Sequence, residues 1–261
     1  MFRRDTAAVC GIPNNGLRMH LKLLRASRLP PFLCAAVTCA VLLTTGLAKD
    51  SSAGLAYLQA GRPNAAELLA PPPLPGSAEQ AADLAEVRAL SKACTSNEMA
   101  AAAFEKKFTL FTFNPAIGGL LQQGKFPATE SFFERVQDDA KQATDLAKDH
   151  WKRPRPYTLD PSLASGKLET SFSYPSGHAT EAMVVALVLA DLFPDSRDPI
   201  LAIGRDIGWH RVLIGRHYST DIYAGRVFAQ AIVREMKSST QFQHDFAQVK
   251  SEIEKAHSIG K

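Results

Sequence analysis

Eight residues suited to binding an oxyanion or moving a proton fall in three short strings of the chain's second half. The strings are KDHWKRPRP at residues 148–156, PSGH at residues 175–178 and HRVLIGRHYSTD at residues 210–221. Their spacing follows the patterns K-x6-R-P, P-S-G-H and R-x5-H-x3-D. Fixed cations and hydrogen-bond donors stabilise the negative charge that spreads over a transferring phosphoryl group. The pattern therefore predicts a cage for a tetrahedral oxyanion, with a nucleophile inside it.

Five of these residues have the chemistry of the cage itself. Arg155 and Arg211 offer planar, permanently charged forks that match phosphate, and Lys148 adds a mobile point charge. Ser176 supplies a hydroxyl donor, and Gly177 lets a backbone N–H approach the ligand closely because it has no Cβ. The apolar run that follows predicts a helix, so its free N-terminal amides and positive dipole end would face the anion.

Each string alone has an ordinary structural explanation, as a loop, a helix cap or a local surface bond. Their occurrence together, in order and with internal spacings intact, favours the cage. The three strings resemble the signature of the bacterial class A nonspecific acid phosphatases, within the phosphatidic acid phosphatase and vanadium haloperoxidase superfamily. The resemblance extends over roughly residues 70–235.

The resemblance implies a division of labour between two histidines. His217 would attack phosphorus and become phosphorylated, and His178 would protonate the departing oxygen. Asp221 lies four residues after His217, one turn on if the segment is helical, so its carboxylate can accept a bond from the distal ring nitrogen. Attack needs neutral His217 and departure needs protonated His178, which predicts a bell-shaped rate profile on the acidic side.

One position departs from the family pattern. The third string usually opens with Ser-Arg, whereas His210 precedes Arg211 in this chain. We interpret His210 as a neighbour of the cage rather than a catalyst, and His150 in the same way. Alanine at residue 210 is therefore expected to leave most turnover.

The N-terminal region predicts a leader. The apolar stretch at residues 30–47 follows basic residues and ends in small residues, as a cleavable signal peptide does. We expect residues 1–48 to be removed, with Met19 as a possible true start, and the enzyme to be periplasmic or secreted. An uncleaved membrane anchor is the alternative. After cleavage we expect no stable membrane association.

Removal of residues 1–48 changes what the composition means. Those residues hold six of the 30 Lys and Arg but one of the 26 Asp and Glu, which leaves 24 basic and 25 acidic residues. The basic pI of about 8.9 is then no evidence for nucleic-acid binding, and we expect none. Cys94 is the one cysteine outside the leader, and no metal-binding spacing is seen, so we expect neither a disulfide nor a metal or cofactor.

The periodicity of the remaining chain is helical. It predicts an arm and a proline-rich linker over residues 49–77, then one domain over residues 78–261. Predicted helices cover about residues 78–106 with a break near Thr95, 128–150, 177–193, 197–214, 219–236 and a tail from 240. Residues 51–69 show only a weak helical pattern, and Asn114-Pro115 with Gly118-Gly119 predicts a region of turns. The inward face predicted for the helix at 128–150 consists of Phe132, Phe133, Val136, Ala140 and Ala147. Ser219 or Thr220 is expected to cap the helix at 219–236, whose predicted inward face consists of Tyr223, Val227, Phe228, Ala231 and Ile232. The resemblance likewise implies an all-α bundle with the site between helices. Its substrates would be small soluble phosphate monoesters of broad range, with phosphotransfer to alcohols as a side activity.

Two other functions stay open at this stage. A vanadium-dependent haloperoxidase uses the same cage for vanadate, which would activate that enzyme but inhibit a phosphatase. A phosphate-binding protein without turnover is the second alternative, although paired histidines with an orienting carboxylate serve catalysis rather than binding. The preferred substrate and any homo-oligomeric state cannot be read from the sequence.

Overall fold

A computed structural model describes residues 54–259, with side chains described through residue 256, and these residues belong to one compact unit. The predicted leader lies outside the described residues. The α-helices are α1 (Ala65–Leu68), α2 (Ala78–Ala93), α3 (Ser96–Phe104), α4 (Pro127–Trp151), α5 (Pro156–Leu159), α6 (Gly177–Leu192), α7 (Arg197–Leu213), α8 (Ser219–Ser238) and α9 (Thr240–Ile259). Single 3₁₀ turns or short 3₁₀ helices lie at Glu105–Lys107, Leu110–Ile117, Pro161–Leu163 and Pro194–Ser196. No strand occurs in residues 54–259, which confirms the all-α prediction.

The helix starts follow from local capping. Ser77 caps α2 by accepting the backbone N–H of Gln80 at 3.1 Å. Cys94 is the C-cap of α2 and Thr95 is the N-cap of α3, where the side chains of Thr95 and Glu98 cap each other's backbone amides. Such a capping box satisfies two orphan N–H groups at once, and it explains the break between α2 and α3.

Three sequence-based expectations were wrong in detail. The cap of α8 is Tyr218 rather than Ser219 or Thr220, because the Asp221 carboxylate accepts the Tyr218 N–H at 3.0 Å. The weak helical pattern over residues 51–69 yields only the single turn of α1. The region of turns expected at residues 114–119 is mostly a 3₁₀ helix that ends at Gly118, whose φ is +67°.

Helix α6 lies at the centre and packs against α4, α7 and α8. Small residues allow the helices around α6 to come close. A Cβ at Gly208 on α7 would lie 2.9 Å from the Cβ of Ala179, and one at Gly225 on α8 would lie 3.0 Å from the Ser176 carbonyl oxygen. This close packing brings the second and third strings of the sequence together.

The face predicted to be buried is confirmed for α4 but only in part for α8. The predicted apolar face of α4 is buried throughout, as Phe132, Phe133, Val136, Ala140 and Ala147 show. On α8, Phe228 and Ile232 are buried as expected, but Tyr223 and Val227 are about half exposed and were wrongly assigned to the core.

A buried carboxylate fixes the N-terminal arm to α4. Asp139 accepts the backbone N–H groups of Ala56, Tyr57 and Leu58 at 2.9, 2.7 and 2.9 Å. Charge-assisted bonds of this kind satisfy an otherwise costly buried charge. Among the described residues, no helix combines the length and apolar character needed to cross a membrane.

Candidate active site

The predicted site residues come together where α6 begins. Lys148 comes from the last turn of α4, and Ser176 and Gly177 come from the start of α6. Arg211 lies in the last turn of α7, and Asp221 lies in the first turn of α8. Arg155 and His217 lie on the connecting segments, and the Ser176 N–H donates to the Asp221 carbonyl at 3.1 Å, which joins the second string to the third.

His217 is buried and held between a carboxylate and a guanidinium. Its Nδ1 lies 3.1 Å from Asp221 Oδ2, and its Nε2 lies 3.1 Å from Arg155 Nη1. Because a guanidinium can only donate, Nε2 must be the acceptor and Nδ1 must carry the proton towards Asp221. The Nε2 lone pair, which an attack on phosphorus requires, therefore points towards the cage cations.

Burial lowers the pKa of His217 to about 3, and the nearby positive charge of Arg155 works in the same direction. The bond to Asp221 opposes this shift without reversing it. The imidazole is consequently neutral and nucleophilic well into the acidic range. Burial acts to raise the pKa of Asp221, but the bond from His217 and the charge of Arg153 outweigh it and lower that pKa to about 2.

Arg153 supports Asp221 and was not identified from the sequence. It is 4% exposed, and its Nη1 lies 2.6 Å from Asp221 Oδ1 while its Nη2 lies 2.6 Å from Asp83 Oδ2. Its guanidinium also stacks 3.8 Å from the centre of the Tyr218 ring. Ser173 completes the arrangement by donating its hydroxyl to Asp221 Oδ2 at 2.5 Å. Both side chains hold the carboxylate that orients His217.

Arg155 is fixed by four partners before any ligand arrives. Its Nε and Nη2 donate to the carbonyl and hydroxyl of Ser171 at 2.8 and 3.0 Å. Its Nη1 donates to the carbonyl of Arg216 at 3.1 Å and faces His217. These bonds hold the guanidinium itself in a fixed position, which is a property of donors that stabilise charge effectively in catalysis.

The structure shows a steric reason for glycine at residue 177 that the sequence did not show. A Cβ at this position would lie 3.3 Å from Lys148 Nζ and 3.2 Å from Glu181 Oε1. A larger residue would therefore push the lysine away from the start of α6. Burial and the charge of Arg155 lower the pKa of Lys148, and burial raises the pKa of Glu181 to about 7.

Ser176 is fully buried and acts as the N-cap of α6, where its Oγ accepts the Ala179 N–H at 3.3 Å. The hydroxyl proton stays available as a donor, since a serine hydroxyl both accepts and donates. The first amides of α6 have no partner within the helix, as expected at a helix start that binds anions.

His178 lies in the first turn of α6, directly after Gly177. Its Nε2 is 3.3 Å from the carbonyl oxygen of Lys106, in the 3₁₀ turn after α3. Burial and the charge of Arg211 lower the pKa of His178 to about 4 while the cage holds no ligand. A bound phosphate would oppose this shift, because its negative charge favours the imidazolium form.

His210 contacts Glu105 rather than the cage. Its Nδ1 lies 2.7 Å from Glu105 Oε2, and the bond to this carboxylate raises the pKa of His210. The neighbouring Arg211 donates to the Ala102 carbonyl at 3.3 Å. Both residues thus fasten the end of α7 to the segment that provides the Lys106 carbonyl. His150 is exposed on α4 and lies beside Trp151, at 4.9 Å between ring centres.

Glu169 is a second residue that sequence reasoning missed. Its carboxylate forms ion pairs with Arg155 Nη1 and, at 3.6 Å, with Arg211 Nη2. Burial acts to raise its pKa, but the charges of Arg155 and Arg211 outweigh burial, so the pKa lies below the ordinary carboxyl value. Glu169 thus places a negative charge between the two arginines that are predicted to bind phosphate.

The arrangement can bind a tetrahedral dianion and present a neutral imidazole to it. No group of three or more His, Cys, Asp or Glu residues suited to a metal ion occurs in the part of the chain that the structure describes. Independence of a metal stays a prediction.

Comparison with known proteins gives concordant matches. The family model of the PAP2 superfamily matches residues 140–245, which include all eight predicted site residues. The chain is 28% identical over 246 residues to an acid phosphatase of Zymomonas mobilis subsp. mobilis, covering 88% of this chain and 92% of that protein. It is 31% identical over 149 residues to the non-specific acid phosphatase of Providencia stuartii, covering 55% of this chain and 60% of that protein.

A solved structure is also similar. It is the crystal structure of a transmembrane PAP2 type phosphatidylglycerolphosphate phosphatase from Bacillus subtilis, with 20% sequence identity to this chain and a TM-score of 0.45. The match covers 67% of this chain and 89% of that one.

Proposed function

We propose that this chain is a periplasmic or secreted acid phosphatase of broad specificity. The premise is that it carries a PAP2 superfamily domain and is a phosphoric monoester hydrolase homologous to the bacterial non-specific acid phosphatases. Its substrates are small soluble phosphate monoesters, and it needs no metal or cofactor. The reaction passes through a phosphohistidine at His217. The observation that carries this proposal is the placement of the buried His217 ring, with Nδ1 3.1 Å from Asp221 Oδ2 and Nε2 3.1 Å from Arg155 Nη1.

In the first step, Nε2 of His217 forms a bond to phosphorus while the ester P–O bond breaks. The departing oxygen takes a proton from His178, which becomes neutral. Asp221 accepts the Nδ1–H of His217 and stabilises the positive charge that the ring gains on attack. Lys148, Arg155, Arg211, the Ser176 hydroxyl and the Gly177 amide hold the three equatorial oxygens.

In the second step, water replaces the histidine on phosphorus. Neutral His178 takes a proton from the attacking water, and the N–P bond breaks to restore His217 and release phosphate. An alcohol that reaches the phosphoenzyme in place of water gives phosphotransfer by the same bond changes.

The pKa values explain an acidic optimum. His217 is neutral above a pKa of about 3, so the nucleophile persists when the solution is acidic. His178 has a pKa of about 4 in the empty site, so its protonated form is lost as the pH rises unless bound phosphate raises that value. The product of the two fractions is a bell on the acidic side.

The test combines an assay with trapping of the intermediate. Hydrolysis of para-nitrophenyl phosphate is followed from pH 3 to pH 9, with EDTA and with vanadate. We expect activity that peaks in acid, survives EDTA and falls with vanadate, and a labelled protein after rapid quenching with a ³²P-labelled substrate. His217→Ala should abolish both turnover and labelling, whereas His150→Ala, which removes an exposed histidine, should preserve them. Full hydrolysis by His217→Ala would refute the mechanism, and activation by vanadate with peroxide and halide would favour a haloperoxidase.

A further inference from the structure

Beside the cage lies a pocket of about 770 Å³ that the mechanism does not use. It is lined by the end of α3 with the 3₁₀ turn after it, by the segment 165–171 and by the end of α7. Arg211 and Glu169 line this pocket and also belong to the cage. The pocket therefore adjoins the position of the phosphoryl group, where part of a substrate's leaving group can lie.

Arg216 is the unusual residue of this pocket. It immediately precedes His217, and it is 7% exposed. Its Nη2 donates to the carbonyl of Ser165, and its guanidinium lies 5.5 Å from the centre of the Tyr157 ring. Its buried Nη1 has no hydrogen-bond partner, and among the described residues Arg216 forms no ion pair. A buried guanidinium nitrogen without a partner is costly, so this group is prepared for an anion that the pocket can receive.

The charge of the lining supports an anion. Five cations line the pocket, namely Lys106, Lys107, Lys167, Arg211 and Arg216, against the single carboxylate of Glu169. Phosphate binding in the cage must displace that carboxylate, because both are negative and both use Arg155 and Arg211. Glu169 and Ser165 both belong to the segment 165–171 that lines the pocket.

We propose that this pocket, defined by Arg216, Lys107 and Lys167, is a subsite for a second phosphate carried by the leaving group, so that the enzyme prefers bisphosphates over monophosphates. This proposal rests on the phosphatase activity proposed above and adds the class of substrate. The unpartnered Nη1 of Arg216 and the ammonium groups of Lys107 and Lys167, which line the same pocket, suit a phosphate dianion. The uncharged leaving group of a simple monoester makes no comparable contact.

The experiment compares kcat/KM for fructose 1,6-bisphosphate with kcat/KM for fructose 6-phosphate, measured as phosphate release. The wild-type enzyme should favour the bisphosphate. Arg216→Gln should lower the ratio of the two values about 10-fold, mainly through KM, because a charge-assisted contact of typical strength is lost. Arg216→Lys should keep part of the preference, since it keeps the charge but not the fork. Arg197→Gln removes a charge from the exposed start of α7, outside the pocket, and should leave the ratio unchanged.

A second variant and a second measurement guard against misfolding of Arg216→Gln. Lys107→Gln combined with Lys167→Gln changes two exposed side chains and should lower the ratio about 3-fold, as expected for partly screened charges. The inhibition constant of methylenebisphosphonate should rise in both variants while that of methylphosphonate stays the same, so the ratio of the methylphosphonate value to the methylenebisphosphonate value should fall together with the kinetic ratio. Equal wild-type values for the two fructose phosphates, or a ratio untouched by both sets of substitutions, would overturn the subsite. Absence of turnover of either substrate would instead overturn the proposed phosphatase activity.

Discussion

The ion pairs of Glu169 make a sharp prediction about the cage. In the ligand-free protein this carboxylate lies between Arg155 and Arg211, the two forks that are proposed to bind phosphate. A phosphate can use both arginines only after it has displaced the carboxylate. Glu169→Gln keeps the size of the side chain and removes its charge, so phosphate should bind the variant more tightly.

The magnitude follows from the pairs that are broken. A hydrogen bond to a charged group contributes about 1.5–3 kcal/mol, and the carboxylate regains part of this from water when it is displaced. The side chain of Glu169 is 32% exposed, so solvent already screens the pair. We therefore expect displacement of the carboxylate to cost about 1.4 kcal/mol in the wild type. Because Glu169→Gln avoids this cost, its dissociation constant for phosphate should be about 10-fold lower.

The effect of Glu169→Gln on phosphate binding should depend on pH. The pKa of Glu169 lies below its ordinary value, so its competition with phosphate is fully present at neutral pH and is lost as the pH falls through that lowered pKa. The difference between Glu169→Gln and the wild type should thus be largest near pH 7 and should shrink towards pH 3. Comparison at equal pH cancels the ionisation of phosphate itself.

Isothermal titration calorimetry with inorganic phosphate measures this directly, in buffers free of carboxylates and phosphate. Glu134→Gln, on the exposed side of α4, removes the same charge away from the cage and is the matched control. Equal dissociation constants for Glu169→Gln and the wild type at pH 7 would refute the argument. A difference that does not shrink as the pH falls through the lowered pKa of Glu169 would show that charge is not its cause.

Three further predictions concern the acid, the buried ion network and the packing of the helices. His178→Ala should lower kcat about 100-fold or more for glycerol phosphate but far less for para-nitrophenyl phosphate, whose leaving group needs no proton; the ratio of the two rates measures this. Arg153→Met should lower the free energy of unfolding by about 3–5 kcal/mol in urea denaturation, because it leaves two buried carboxylates without their cation. Gly208→Ala should cost about 1–3 kcal/mol in the same measurement, since its Cβ would lie 2.9 Å from that of Ala179, whereas Gly54→Ala meets nothing within 4 Å and should be neutral. Unchanged stability in Arg153→Met or Gly208→Ala would show that the packing described here is wrong.

Local physics determined much of the fold from the sequence. The apolar face of α4 was predictable because burial follows the 3.6-residue period of a single helix. Thr95 was predictable as a cap because capping involves only neighbours along the chain. The face of α8 was less predictable, since Tyr223 and Val227 belong to its apolar stripe and yet stay about half exposed. Periodicity identifies an apolar stripe but not how much of it a neighbour will bury.

The candidate site was likewise predictable from the sequence only in part. Residue type and spacing predicted which side chains would meet at the start of α6, whereas the roles of His217 as nucleophile and His178 as acid came from the family resemblance and stay a prediction. Tertiary structure alone placed Arg153 between Asp83 and Asp221, partners 70 and 68 residues away, and set Glu169 between the cage arginines. It also left Nη1 of Arg216 without a partner beside the cage. The physical reason is that a buried charge acquires its partners only when helices pack, and the sequence of one helix does not specify which distant side chain will face it.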